Sequence, residues 1–143
     1  MDVFKFKSFS SYKNIKHGIS TKEFGSMKNI DGSVSRNNLN KFLVSLNIES
    51  KAICMEQVHG ANIAVVKDTH ELLIKNVDGL ITDKSDTPLA IMIADCLPIL
   101  FYDLLKNVIG VAHAGRKGLS DGIIQRMILE FRSTYKSNPK DII

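Results

Sequence analysis

The stretch ADCLPILFYDLLKNVIGVAHAG, residues 94–115, decides the fold of this chain. It contains two apolar runs, Pro98–Tyr102 and Val108–Ala112, which are rich in β-branched and aromatic residues. Only the brief connection Asp103–Asn107 separates them. Two apolar runs of this length around a short connection predict an antiparallel β-hairpin.

Two histidines and one cysteine lie at the ends of three apolar stretches of the chain. They are His59 in EQVHG, Cys96 in ADCLP and His113 in AHAG. Three such ligands on separate segments can converge on one metal ion with a coordination position left open, which is typical of a catalytic zinc site. Alternatively, Cys96 and His113 can act together as a nucleophile and its base. Both interpretations predict an enzyme.

The spacing of the three residues excludes a zinc finger. Cys96 follows His59 by 37 residues, and His113 follows Cys96 by 17 residues. The chain contains no C-x-x-C or H-x-x-x-H pair, which structural zinc modules use for local ligand pairing. The three side chains can therefore meet only if a folded sheet brings them together.

Length and composition predict one domain over residues 1–143, because 44% hydrophobic residues are enough for a core. The two cysteines, Cys54 and Cys96, make no disulfide framework and fit a reducing compartment, with Cys54 expected as a core thiol. The sequence shows no signal peptide. No apolar run approaches the roughly 20 residues that span a bilayer. We expect a soluble, cytoplasmic protein without a membrane partner.

The formal charge of +4 is mild, and the lysines are scattered along the chain. A nucleic-acid partner is not expected, because binding would need a clustered basic stripe or a known module. The pair Arg116-Lys117 differs from the scattered charges because it follows His113 closely. Its position before a helix predicted to begin at Ser120 favours an anion site, since free N–H groups at a helix N-terminus attract phosphate.

Hydrophobic periodicity predicts two helices. The first covers Arg36–Leu46 with Ser35 as its N-cap, and the second follows Ser120 with an apolar face from Ile123 to Phe131. Between Val3–Phe6, a short predicted strand, and the first helix, residues 8–35 read as a long loop of the kind that is often functional.

Further strands are predicted between the two helices. Ala52–Val58 and Asn62–Val66 flank Gly60 as a tight pair or one bent strand, and Gly79–Ile81 and Leu89–Ile93 follow. The elements do not alternate as βαβα, which argues against a doubly wound parallel sheet. The fold class is therefore α/β with α+β character, a mixed β-sheet with flanking helices.

Four blocks of the sequence, in order, resemble the laccase-domain family of purine nucleoside phosphorylases, also known as polyphenol oxidases and peptidoglycan editing factors. The blocks are Gln57–Gly60, Asp78–Thr82, Ala94–Pro98 and His113–Gly118, and a weaker match covers His17–Lys22. The resemblance implies the laccase-domain fold, which is shared with certain cysteine-dependent toxin deamidases.

The resemblance also implies a site and an activity. The family's zinc ligands correspond to His59, Cys96 and His113, the same three residues selected above. The implied reaction is phosphorolysis of adenosine, inosine and S-methyl-5'-thioadenosine, with adenosine deamination as a second activity. Purine nucleosides and phosphate are the implied partners, and zinc is the implied cofactor.

The chain departs from the family pattern in two places. Family members usually have Trp-Arg where this chain has Arg116-Lys117, and Lys117 keeps the charge but loses the planar fork that grips phosphate. Family members also continue well beyond this length. The last residues, Asn138–Ile143, place two apolar residues after a turn signal, so we expect a laccase-like domain that is incomplete at its C-terminus.

Three functions remain open at this point. The first is a zinc-dependent nucleoside phosphorylase in which Lys22, Arg116 and Lys117 bind phosphate. The second is a metal-free cysteine hydrolase or amidase, including one that edits peptidoglycan precursors, with Cys96 as nucleophile and His113 as base. The third is an inactive, truncated relative. A multicopper oxidase is rejected, because a coupled copper cluster needs more imidazoles than the four histidines present.

Overall fold

The computed structural model describes residues 1–143, which divide into two compact units, residues 1–51 and 52–143. The first unit contains a two-stranded antiparallel sheet and one α-helix. The strands are β1 (Val3–Phe4) and β2 (Ile19–Ser20), the helix is α1 (Arg36–Ser45), and 3-10 helices cover Lys7–Phe9 and Lys22–Phe24. The predicted first strand and first helix are therefore confirmed, each slightly shorter than expected.

One expectation for the first unit was wrong, and the N-cap position of the first helix was predicted correctly. Residues 8–35 are not one irregular loop, because they contain β2 and a 3-10 helix. Buried aromatic side chains hold this segment: Phe9 and Phe24 are 5% and 2% exposed, and the Phe24 ring packs edge-on against Phe42 of α1. Ser35 occupies the N-cap position of α1, but its side chain makes no capping hydrogen bond.

A three-stranded parallel sheet opens the second unit. Its strands are β3 (Ile53–Met55), β5 (Leu73–Ile74) and β7 (Leu89–Ala90), with β3 in the middle. Ala52–Val58 and Asn62–Val66 therefore form neither the tight pair nor the single bent strand that was predicted. The strand in the first of these segments belongs to this sheet, and the strand in the second belongs to another. The short strand β5 was not predicted.

A four-stranded mixed sheet forms the larger part of the second unit. Its strands stand in the order β4 (Ile63–Val65), β6 (Gly79–Thr82), β9 (Val108–Ala114) and β8 (Leu97–Asp103). Strands β4 and β6 are parallel, and the other two pairings are antiparallel. This confirms the mixed sheet and the hairpin, in which β8 is one residue longer at each end than predicted and β9 is two residues longer at its C-terminal end. At the edge of β8, Ile142 forms an isolated antiparallel bridge with Asp103.

Alternation along the strands gives this sheet two buried faces. Leu80 and Val111 pack with Ile53 and Met55 of the three-stranded sheet in one apolar cluster. The neighbouring residues on the other face pack under the long helix α3 (Ile123–Tyr135). That second cluster includes Ile81, Phe101, Val108, Ala112, Ile123, Met127 and Phe131. The four-stranded sheet is thus the middle layer of the second unit.

Helix α3 begins later than predicted. Residues Arg116–Ser120 form a separate short helix, α2, so Ser120 ends a helix instead of capping one. Gly122, with a φ of 79°, takes the left-handed conformation between the two helices and is the N-cap of α3. The anion-site argument based on a helix N-terminus at Ser120 therefore fails. None of the helices combines the length and apolar character that crossing a lipid bilayer would require.

Candidate metal centre

Strand register brings three distant segments to one end of the four-stranded sheet. Ala112 pairs with Gly79, and the His113 backbone N–H donates to the Asp78 carbonyl at 2.8 Å. Ala114 pairs with Leu97, so Cys96 stands next to this pair, just before β8 begins. Because β8 and β9 are antiparallel, the start of β8 and the end of β9 lie at the same end of the sheet.

The three predicted ligands meet at this end of the sheet. One ligand atom from each of His59, Cys96 and His113 lies within 4.8 Å of the others. The two imidazole rings stand nearly perpendicular, with centroids 4.8 Å apart. His113 is 3% exposed, Cys96 is partly exposed and His59 is exposed. The cluster is therefore open to solvent on the side of His59 and Cys96, which leaves room for a substrate.

A buried carboxylate joins two of the ligands. Asp78 is completely buried, and its Oδ1 lies 2.8 Å from His113 Nδ1. Its two oxygens also accept backbone N–H groups from Val58, His59 and Gly60, at 3.2, 3.0 and 2.8 Å. His59 has a φ of 59°, a left-handed conformation that is uncommon for residues other than glycine. One side chain thus contacts both the His59 segment and the His113 ring.

A side-chain amide links the His59 segment to the segment that leads to Cys96. Gln57 donates from its amide nitrogen to the Met92 carbonyl and accepts the Met92 N–H, both at 2.8 Å. This reciprocal pair reproduces the hydrogen bonds of a strand pairing with a side chain in place of a peptide group. It therefore fixes the relative position of the segments that carry His59 and Cys96.

Two glycines make space at the site. A Cβ at position 115 would lie 3.2 Å from Cys96 Sγ and 3.3 Å from His59 Cδ2. A Cβ at position 118, in α2, would lie only 2.6 Å from the Gly60 carbonyl oxygen. Gly115 therefore leaves the ligands room, and Gly118 lets α2 approach the segment that carries His59.

The predicted substrate-binding residues occupy different places. Arg116 and Lys117 form the exposed first turn of α2, directly after Gly115. The Lys117 ammonium is ion-paired with Asp121 one turn later in the chain. Lys22 lies in the first unit, exposed, at the start of a 3-10 helix.

Sequence analysis gave no role to Asp78 or to Gln57, whose side chains make hydrogen bonds to the segments that carry the ligands. Both lie in blocks that resemble the family, but the sequence around each is equally compatible with a turn or a surface position. Asp95, which directly precedes Cys96, is exposed, whereas the buried Asp78 contacts the His113 ring.

The residues present fit a metal ion. Two imidazoles and a thiol supply three donors within a small radius, and zinc accepts nitrogen and sulfur ligands of this kind. The Asp78 contact occupies Nδ1 of His113, which leaves Nε2 to face an ion. A carboxylate behind a histidine is the usual partner of a metal-bound imidazole.

Comparison with known proteins identifies relatives along nearly the whole chain. A purine nucleoside phosphorylase of Clostridium acetobutylicum is 33% identical over 137 residues, which are 94% of this chain and 57% of that protein. The purine nucleoside phosphorylase YlmD of Bacillus subtilis is 42% identical over 69 residues, which are 48% of this chain and 25% of that protein.

Solved structures confirm the laccase-domain fold. The crystal structure of YlmD from Geobacillus stearothermophilus matches with a TM-score of 0.73 at 32% identity, over 89% of this chain and 53% of that one. The structure of YfiH from Bacillus licheniformis gives a TM-score of 0.74 at 31% identity, over 88% of this chain and 52% of that one. The chain thus spans about half the length of these relatives. A family model described as multi-copper polyphenol oxidoreductase laccase matches residues 14–143, so the chain belongs to this family.

Proposed function

We propose that the protein is a zinc-dependent purine nucleoside phosphorylase. The observation that carries the proposal is the convergence of His59, Cys96 and His113. Their ligand atoms lie within 4.8 Å of one another at one end of the sheet. Relatives named purine nucleoside phosphorylase support the reaction class. Adenosine, inosine and S-methyl-5'-thioadenosine are the proposed substrates, and adenosine deamination is a proposed second activity.

The proposed reaction transfers a ribosyl group to phosphate. A phosphate oxygen forms a bond to C1' of the ribose, and the bond from C1' to the purine nitrogen breaks. Its electron pair leaves with the base, which takes up the proton that the hydrogen phosphate releases. Bound to His59, Cys96 and His113, zinc would supply Lewis-acid polarisation at its open coordination position.

The basic residues of α2 are proposed to hold the phosphate. Arg116 and Lys117 follow Gly115, where an added Cβ would lie 3.2 Å from Cys96 Sγ, so their backbone starts next to the site. Their charges would hold the anion in position against the ribose, and orientation of this kind lowers the barrier to a two-substrate reaction.

Metal content tests the proposal directly. Protein purified without chelator is expected to carry about one zinc per chain, because three ligands suffice for a catalytic site. Cys96→Ala is expected to abolish this zinc. The matched control is Cys54→Ala, since Cys54 is a buried thiol of β3 outside the ligand cluster and its loss should leave the metal in place. Base release from adenosine should require added phosphate.

A second candidate function is favoured by the Asp78–His113 contact. A carboxylate behind an imidazole near a thiol is also the arrangement of a cysteine hydrolase. In that reaction His113 would take the thiol proton, Cys96 Sγ would bond to an amide carbon, and the amine would leave with that proton. Water would then hydrolyse the thioester. Wild-type protein that lacks zinc and hydrolyses amides would establish this function and overturn the phosphorylase proposal.

A further inference from the structure

A completely buried carboxylate needs hydrogen-bond partners, since leaving a charge unpaired in the interior is costly. Asp78 has four: the backbone N–H groups of residues 58–60 and the His113 ring. All four belong to the two segments that carry the histidine ligands.

The contact with Asp78 selects the tautomer of His113. Both carboxylate oxygens already accept backbone N–H groups, which can only donate. The carboxylate therefore acts as an acceptor, and His113 donates from Nδ1–H across the 2.8 Å separation. In a neutral imidazole the proton on Nδ1 leaves the Nε2 lone pair free for a ligand.

The same carboxylate holds the backbone that presents His59. Three consecutive N–H groups converge on Asp78, and the middle residue has a φ of 59°. A left-handed residue with a side chain costs about 1–2 kcal/mol, so it persists where other contacts hold it. The hydrogen bonds to Asp78 provide those contacts. They hold the backbone of residues 58–60 in the conformation that presents the His59 side chain to the ligand cluster.

We propose that Asp78 is a positioning residue that sets the orientation of His59 and the tautomer of His113 before any metal ion arrives. This inference rests on the proposed function for its metal-binding consequence. The state of the apo site, by contrast, is a property of this chain alone. The two parts can therefore be measured separately.

The test compares Asp78→Asn with wild type in two measurements. Competition with a chromophoric chelator is expected to show zinc affinity reduced by about 10–100-fold, the usual effect of losing a carboxylate behind a metal-bound histidine. In zinc-free protein, the nitrogen chemical shifts of the His113 ring are expected to show Nδ1–H in wild type and an altered tautomer in the variant. A merely structural residue would not change the tautomer.

Asp103→Asn is the matched control. Asp103 is also buried, and it accepts the backbone N–H groups of Leu105 and Lys106 at the opposite end of β8. It should change neither measurement. The inference is overturned if Asp78→Asn binds zinc as tightly as wild type, or if Asp103→Asn loses as much affinity.

The wild-type spectrum tests the inference even if Asp78→Asn fails to fold. A His113 proton on Nε2 in the zinc-free wild type overturns it. If wild type binds no zinc, the proposed function fails, and the tautomer measurements in the two proteins still decide whether Asp78 positions His113.

Discussion

At the scale of single residues, the ion pair between Lys117 and Asp121 bears on phosphate binding. Both side chains are exposed, at 69% and 40%, so solvent screens their attraction and the pair contributes little to stability. A phosphate dianion carries more charge than one carboxylate and accepts more hydrogen bonds. Lys117 can therefore exchange Asp121 for a bound phosphate at small cost.

Removing Lys117 should weaken the binding of phosphate more than that of nucleoside. Lys117→Ala is expected to raise KM for phosphate by about tenfold, since a hydrogen bond to a charged group contributes about 1.5–3 kcal/mol. Lys117→Arg should be tolerated or improve activity, because it restores a planar fork. Steady-state kinetics with each substrate varied in turn measures both effects. Lys106→Ala, at an exposed lysine of the β8–β9 turn, is the control, and equal losses for both substrates would contradict the assignment.

At the scale of elements, the position of α2 depends on a backbone approach. The helix reaches the segment that carries His59 only because Gly118 has no side chain, and a Cβ there would meet the Gly60 carbonyl oxygen at 2.6 Å. In an isolated helix, alanine is more stable than glycine by about 0.5–1 kcal/mol. Here the contact is with backbone, which cannot move aside as a flexible side chain can, so the clash outweighs the helix preference.

Gly118→Ala should therefore destabilise the protein and weaken the metal site. We expect the free energy of unfolding to fall by about 1–3 kcal/mol, the usual cost of overpacking. Zinc affinity should fall as well, because the clash displaces α2 or the His59 segment. Urea denaturation and chelator competition measure the two effects. Ser120→Ala, on the exposed end of the same helix, should change neither, and a more stable Gly118→Ala protein would show that the approach is not tight.

The sequence predicted the elements whose periodicity is strong. The β8–β9 hairpin, α1 and the apolar face of α3 follow from apolar spacing, because each buries one side against a core. The start of α3 and the existence of α2 were missed because Gly122 was not interpreted as a helix break. Strand β5 has two residues, too few to give a pattern.

The sequence predicted that His59, Cys96 and His113 would come together, but it did not predict the contacts that support them. His59, Cys96 and His113 carry side chains whose chemistry points to a site wherever they occur near strand ends. Asp78 and Gln57 act through hydrogen bonds that exist only once the strands have paired. The partition of β3 and β4 between two sheets depends on pairing partners far along the chain. Local sequence patterns do not predict such long-range contacts.

At the scale of the whole molecule, the two units differ in what stabilises them. The second unit has two apolar clusters around a central sheet. In the first unit, His17 packs among aromatic rings: its ring lies 5.1 Å from Phe9 and stacks 6.2 Å from Phe6, whose backbone N–H donates to His17 Nε2 at 2.9 Å. Burial, together with the nearby charge of Lys5, lowers the pKa of His17 below 6.5.

The first unit should therefore lose stability in mild acid. A histidine with a lowered folded pKa binds its proton more readily when unfolded, so stability falls as pH drops through 6.5 and levels off below the folded pKa. Amide exchange of residues 1–51 should accelerate, beyond the intrinsic pH effect, as the pH falls below 6.5. His17→Gln should reduce this loss. His70→Gln, at an exposed histidine, should not, and an unchanged loss in His17→Gln would exclude this residue as the cause.

The register of the β8–β9 hairpin also determines which positions of the chain tolerate inserted or deleted residues. The turn at 104–107 begins eight residues after Cys96 and ends six residues before His113, roughly 20 Å or more along the sheet, so residues added there leave the cluster as it is. One residue inserted within β8 would instead turn Cys96 to the opposite face of the sheet, away from both histidines. Insertions and deletions during evolution, and peptide tags or loops introduced by engineering, should therefore be tolerated at the turn and eliminated within the strands.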